Sequence, residues 1–211
     1  MNILAMDCTH GTCSAAFFNG ESIVSEIVEK MEYGQAERLI PMVCEVLAHA
    51  HVDFKDVDAV AVTTGPGSFT GVRVGLAAAD GIALAADLPM AGVSVSEVLA
   101  RKAFGKYPDI KKICVVLETK RDDFYAQCFE SGTSVTEPAA LSAQALKALK
   151  DYVFIGNAVE RLIEEIGNVA SAEISMPTAT DVALFASEKT PEKKYPEPLY
   201  LREAEVTLCR K

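Results

Sequence analysis

Gly65-Pro66-Gly67-Ser68-Phe69-Thr70-Gly71-Val72-Arg73-Val74-Gly75 runs without a break into Leu76-Ala77-Ala78-Ala79-Asp80-Gly81-Ile82-Ala83-Leu84-Ala85-Ala86. An apolar run, Val60-Ala61-Val62-Thr63, precedes it, so the stretch reads as a strand, a glycine-rich turn and a helix entered near Thr70. That arrangement points backbone N–H groups and the positive end of a helix at an anion. Gly65, Gly67, Ser68, Thr70, Gly71 and Arg73 are therefore candidate residues for a nucleotide or phosphate contact. Two phosphate patterns nevertheless fail. A P-loop needs Lys-Ser/Thr after its second glycine, and Gly71 is followed by Val72-Arg73. The dinucleotide pattern GxGxxG needs its third glycine one residue before Gly71. A tight structural turn is the alternative reading.

The helix says more than the turn. Gly71, Gly75, Ala79 and Ala83 recur every fourth residue, which leaves one face nearly bare of side chains and open to a close backbone. Arg73, Asp80 and Asp87 fall seven apart and form a single narrow polar line. A surface helix carries a broad polar face, so this one must be covered on nearly all sides. The remaining apolar flank, Val72, Val74, Leu76, Ala78 and Ile82, is closed either by the chain's own core or by a second protein.

With 211 residues, half of them hydrophobic, the chain can bury one good core or two small ones. A formal net charge of −10 argues against direct nucleic-acid binding, which leaves a basic footprint. Six cysteines, at 8, 13, 44, 114, 128 and 209, form no CxxC pair and read as free thiols of a reducing compartment. No basic n-region opens the chain, and the longest apolar stretch, the helix above, reads as too short and too Asp-marked to span a bilayer. A soluble cytoplasmic protein with no membrane partner is the expectation. His10, His49 and His51 show no metal-ligand spacing, and Ser68 has no evident base, so neither a metal site nor a nucleophile is expected. Cys8 and Cys13 read as small buried residues flanking the first hairpin.

Three antiparallel strands open the chain: Asn2 to Asp7, Thr12 to Phe18 and Glu21 to Lys30, with Asn19-Gly20 as a type I′ turn signal. A helix follows from about Ala36 to Ala50, and Pro41 within it implies either a kink there or an irregular first turn. Asp58 to Thr63 and Pro89 to Val93 are the next strands, on either side of the small-residue helix, and Ser94 or Ser96 caps a further short helix. From about Lys106 a smaller unit is expected, with strands at Ile113–Leu117, Phe124–Glu130 and Tyr152–Ile155. Its helices are placed at Ser142–Lys150, Ala158–Ile166 and Asp181–Ser187, before a proline-broken tail from Pro191. The division is residues 1–105 and 106–211.

The order β-β-β-α-β-α-β resembles the half-domain of actin-like ATPases, sugar kinases and Hsp70 chaperones, an α/β fold of ribonuclease H type. In those enzymes the first hairpin carries an Asp that places phosphate and metal, and Asp7 occupies that position here. The second half is too short for a full adenosine pocket and phosphate hairpin; only Gly156-Asn157 resembles part of one. It reads as a degenerate second domain.

Ile3-Leu4-Ala5-Met6-Asp7, the GPGSFTG-x-R-x-G string at 65–75, Leu88-Pro89 with Gly92-Val93-Ser94 and Glu97, and Pro198-Leu199-Tyr200-Leu201-Arg202 together resemble the TsaB (YeaZ) family along the whole chain. The resemblance implies a non-catalytic scaffold of tRNA threonylcarbamoyladenosine (t6A) modification that binds a catalytic TsaD-like paralogue and a TsaE-like ATPase. It also implies a homodimer when alone and tRNA contact only through the complex. No cofactor is implied. The partner face is placed on Leu39, Met42, Val43, Val46, Val72, Val74, Ala78 and Ile82. Two departures stand out: Gln35 replaces a family His, and Glu118-Thr119-Lys120 replaces an Asp-Ala-Arg segment. The rival readings are a small actin-like ATPase or kinase and a glycoprotease-type peptidase.

Overall fold

A computed structural model describes residues 1–119 and 121–201. Strands β1 (Ile3–Asp7), β2 (Thr12–Phe18) and β3 (Ile23–Lys30) form the expected meander. The parallel strands β4 (Ala59–Gly65) and β5 (Met90–Ser94) extend it to the order β3-β2-β1-β4-β5. Helix α1 (Gln35–His49) connects β3 to β4 and runs unbroken through Pro41. Helix α2 (Phe69–Ala86) connects β4 to β5, and α3 (Val95–Lys106) leaves β5.

One expectation fails at the second hairpin. The β2–β3 connection is a four-residue loop, Asn19 to Ser22, rather than a two-residue type I′ turn. Only Gly20 of the pair takes positive φ, while the Asn19 side-chain oxygen accepts from the N–H groups of Glu21 and Ser22. That Asx arrangement is the other use to which a turn puts asparagine.

Every residue of β1 is buried, because the first sheet is covered on both faces. Leu4, Met6, Cys8, Cys13, Ala15 and Phe17 face α1 and α2. Ile3, Ala5, Ala16 and Phe18 face the other way, against Val98 of α3 and Ala179, Val182, Ala183 and Ala186 of α6 (Ala179–Ala186). Helix α6 belongs to the segment expected to form the second unit, yet it returns to roof the first sheet. The Thr178 hydroxyl donates to Glu26 on β3 and the Ala179 N–H to the Ser14 hydroxyl on β2.

The second sheet has the order β10-β6-β7-β8, built from β6 (Lys112–Glu118), β7 (Asp123–Glu130), β8 (Thr133–Ser134) and β10 (Val153–Ile155). Strand β9 (Ala139–Ser142) pairs with the start of β7. Neither β8 nor β9 was expected from sequence: two and four residues are too short for a periodicity signal. Helices α4 (Ala143–Lys147) and α5 (Val159–Ile166) cover one face, and α3 the other. Helix α3 thus packs on both sheets and joins the two halves.

Candidate functional site

The glycine loop sits on the β1–β2 turn and fills it. The Ser68 N–H donates to the Thr9 carbonyl at 2.9 Å, and His10 Nε2 lies 3.1 Å from the Pro66 carbonyl oxygen. A β-carbon at Gly71 would overlap the Cys8 carbonyl oxygen, and one at Gly67 would press on Thr9. Both positions are glycine because the loop and the turn touch backbone to backbone. Ser68 caps α2: its hydroxyl accepts from the Gly71 N–H at 3.3 Å. The Gly65–Pro66 peptide is cis. Two donors that a phosphate loop would aim at an anion, the Ser68 and Gly71 N–H groups, are thus engaged with the protein itself.

His10 is held neutral by this packing. Burial pushes its imidazole from 6.5 down to about 4, against the smaller upward pull of the Pro66 carbonyl, so Nε2–H is the donor in that contact. Asp7 is fully buried. Its Oδ1 accepts at 2.6 Å from both the Thr9 and the Thr63 hydroxyls, whereas Oδ2 has no partner among the described residues. Burial pushes the carboxyl above its ordinary 3.8, and the Thr63 and Thr9 bonds offset this only in part. Among the described residues no group of three His, Cys, Asp or Glu side chains could hold a metal ion.

Arg73 and Phe69 lie at the exposed start of α2. The Arg73 guanidinium stacks 3.5 Å above the Phe69 ring, and its Nε donates to the Tyr200 hydroxyl at 2.8 Å. Tyr200 ends a strap that pairs Glu192 with Met90, passes Pro196 over Gly92 and donates the Leu199 N–H to the Thr64 carbonyl. Pro198-Leu199-Tyr200 of the family-like motif therefore fastens this strap over β4 and β5 and onto α2; Arg202 lies outside the described residues. Thr70 is exposed.

Between α1 and α2 runs an open groove of about 660 Å³, lined by Ala36, Leu39 and Ile40 of α1, Phe54 of the following short 3-10 turn, and Val74, Ala77, Ala78, Gly81, Ile82, Ala85 and Ala86 of α2. Leu84 on the same helix is 80% exposed. The residues expected from sequence to form a partner face divide here between the core and the groove. Met42, Val43 and Val46 are fully buried in the chain's own core, Leu39 and Val72 nearly so, and Ile82 is only 9% exposed. They point to the sheet because α1 and α2 must cover its Leu4–Met6–Ala15–Phe17 face. Of the expected set, Leu39, Val74, Ala78 and Ile82 also line the groove, Val74 and Ala78 half-buried in its wall. Ile40, Phe54, Ala77 and Gly81 line the groove as well. Ala77 and Gly81 give no outward signal in the sequence, since an alanine or glycine on an all-apolar helix carries none, and Phe54 is distant in the chain.

By length and composition alone α2 is also the one described helix that could cross a membrane. Gly71, Gly75, Leu76, Ala79, Ile82 and Ala83 are instead buried in the chain's core.

The departures are structural. The Gln35 amide donates to the Met31 carbonyl at the start of α1. Glu118 pairs with Arg161, which also donates to the carbonyls of Arg121 and Asp123 and stacks 3.8 Å above Phe124. Lys120 lies outside the described residues. Arg38 ties β3 to α1 through Glu29 and Glu45, holding both carboxyls below their ordinary range.

Residues 27–201 match the family model described as TsaD, tRNA N6-adenosine threonylcarbamoyltransferase. The chain is 31% identical to the tRNA threonylcarbamoyladenosine biosynthesis protein TsaB of Escherichia coli, over 96% of this chain and 95% of that one. The chain belongs to the TsaB family. Two solved Pseudomonas aeruginosa structures superpose over 95% of the chain and 99% of their own. One, a protein with similarity to peptidase YeaZ, has a TM-score of 0.81 at 28% identity. The other, YeaZ, has 0.77 at 27%. The actin-like α/β fold expected from the strand order is thus the fold of the family, and the opening stretch is its strand–turn–helix element.

Proposed function

We propose that this chain is a non-catalytic scaffold subunit of t6A modification, acting in the cytoplasm, which docks a TsaD-like catalytic paralogue on the α1–α2 groove. The observation that carries the reading is the groove itself: an open apolar channel on a chain whose phosphate-type loop is filled by its own first hairpin. The choice of partner rests on kinship. A chain that matches the TsaD family model over residues 27–201 has a relative expected to present the same two helices. Two such faces pack as a helix bundle around an approximate two-fold axis, and a second copy of this chain takes the place when the paralogue is absent. A TsaE-like ATPase then joins the assembled pair, and tRNA contact is left to the partners, in keeping with the net charge of −10.

The test uses Ala77→Arg and Gly81→Arg, at exposed positions where the folded chain has room. Both are expected to weaken association with a TsaD-type partner at least about a hundredfold by calorimetry, a loss of roughly 2.7 kcal/mol, with a melting temperature unchanged in Ala77→Arg and unchanged or raised in Gly81→Arg. Unchanged affinity in both variants places the interface elsewhere. ATP turnover by the isolated chain that disappears in Asp7→Ala would overturn the non-catalytic reading.

A further inference from the structure

The first hairpin contains a feature that neither the groove nor the glycine loop uses. Asp7 pairs with Ser14 across β1 and β2, so the next rung sets Cys8 directly opposite Cys13. Both side chains lie on the Leu4–Met6–Phe17 face, both are buried and free, and their sulfurs are 3.6 Å apart. Directly opposed residues on antiparallel strands have Cβ atoms about 4.5–5.5 Å apart, and a disulfide takes about 3.5–4.5 Å. Closing the bond therefore needs a small inward movement of two strand ends and no rearrangement of a helix.

We propose that Cys8 and Cys13 are a reversible disulfide site that closes the mouth of the first hairpin and fixes the seat of the glycine loop. The residues enclosed by the bond are those on which that loop rests. Thr9 accepts the Ser68 N–H, His10 contacts Pro66, and Gly71 lies against the Cys8 carbonyl. The oxidant is a small-molecule disulfide, admitted by opening of the turn at its exposed tip, Gly11. The Cys8 S–H donates to the Cys13 sulfur, which pushes Cys13 down and Cys8 up and makes Cys13 the attacking thiolate. Cys13 displaces one thiol from the oxidant and forms a mixed disulfide. Cys8, giving up its proton, then attacks the Cys13 sulfur and displaces the second thiol. Two S–H bonds are lost and one S–S bond forms, while the oxidant is reduced to two thiols. The inference does not depend on what occupies the groove.

The experiment incubates the full chain with glutathione disulfide, quenches with acid, alkylates under denaturing conditions and maps the peptides. The expected result is a Cys8–Cys13 link that dithiothreitol removes, accompanied by a rise of roughly 5 °C in melting temperature, as closure of a short loop gives. Cys8→Ser and Cys13→Ser should show neither, while Cys114→Ser, which breaks the other opposed cysteine pair, Cys114 and Cys128, should show both. The proposal is overturned if Cys8 and Cys13 remain fully alkylatable. It also fails if either links to another cysteine, or if the oxidised chain melts below the reduced one.

Discussion

The two sides of α2 have nearly the same composition and opposite fates. One side, Gly71, Gly75, Ala79 and Ala83, is sealed within the chain; the other, Ala77, Gly81 and Ala85, lines an open channel. Small residues on the inner side permit backbone contact, as where Gly71 meets the Cys8 carbonyl. On the outer side they leave space that nothing in the chain fills. Smallness therefore records a close approach in one direction and a vacancy in the other, and only the surroundings tell them apart.

The sharpest way to break this contrast is a methyl group at Gly71. Gly71→Ala puts a β-carbon onto the Cys8 carbonyl oxygen and should cost at least about 3 kcal/mol, read as a lost or greatly lowered denaturant midpoint. Next comes Ala77→Arg on the open side, expected to remove partner binding while leaving that midpoint in place. The third prediction concerns acid. Because His10 is held at about 4 in the fold against 6.5 when unfolded, the unfolded chain binds the proton first. Stability is thus intact above about pH 6.5, falls as pH drops towards 4, and levels off below it, a loss of up to about 3 kcal/mol. His10→Gln, which can still donate to Pro66, should flatten that part of a stability–pH curve; an unchanged slope would assign it to other groups. The smallest effect belongs to Gly81→Ala. No atom lies within 4 Å of a β-carbon there, so thermal unfolding should show a gain of about 0.5–1 kcal/mol from reduced chain entropy. The same substitution ten residues apart on one helix would then have opposite signs.

Much of the first sheet was legible because its signals are local. The β2 bounds of Thr12 and Phe18 follow from an apolar run between turn residues, and the exit from β4 into α2 from the glycine string. The destination of α6 was not legible: Val182 and Ala186 identify a buried face without naming the sheet it covers. The groove was half legible. An excess of apolar residues on α2 is visible in the sequence, but the sheet takes Val72, Leu76 and Ile82 for itself. Ala77, Gly81 and the distant Phe54 are what remain outside.

The return of α6 to the first sheet has a consequence for synthesis on the ribosome. Residues 1–105 can form the sheet and cover its α1–α2 side early, but Ile3, Ala5, Ala16 and Phe18 have no α6 roof until Ala179–Ala186 has emerged. A nascent chain stopped before that point has this face covered by α3 alone, so completion of the first sheet's core waits until the whole second sheet has been translated.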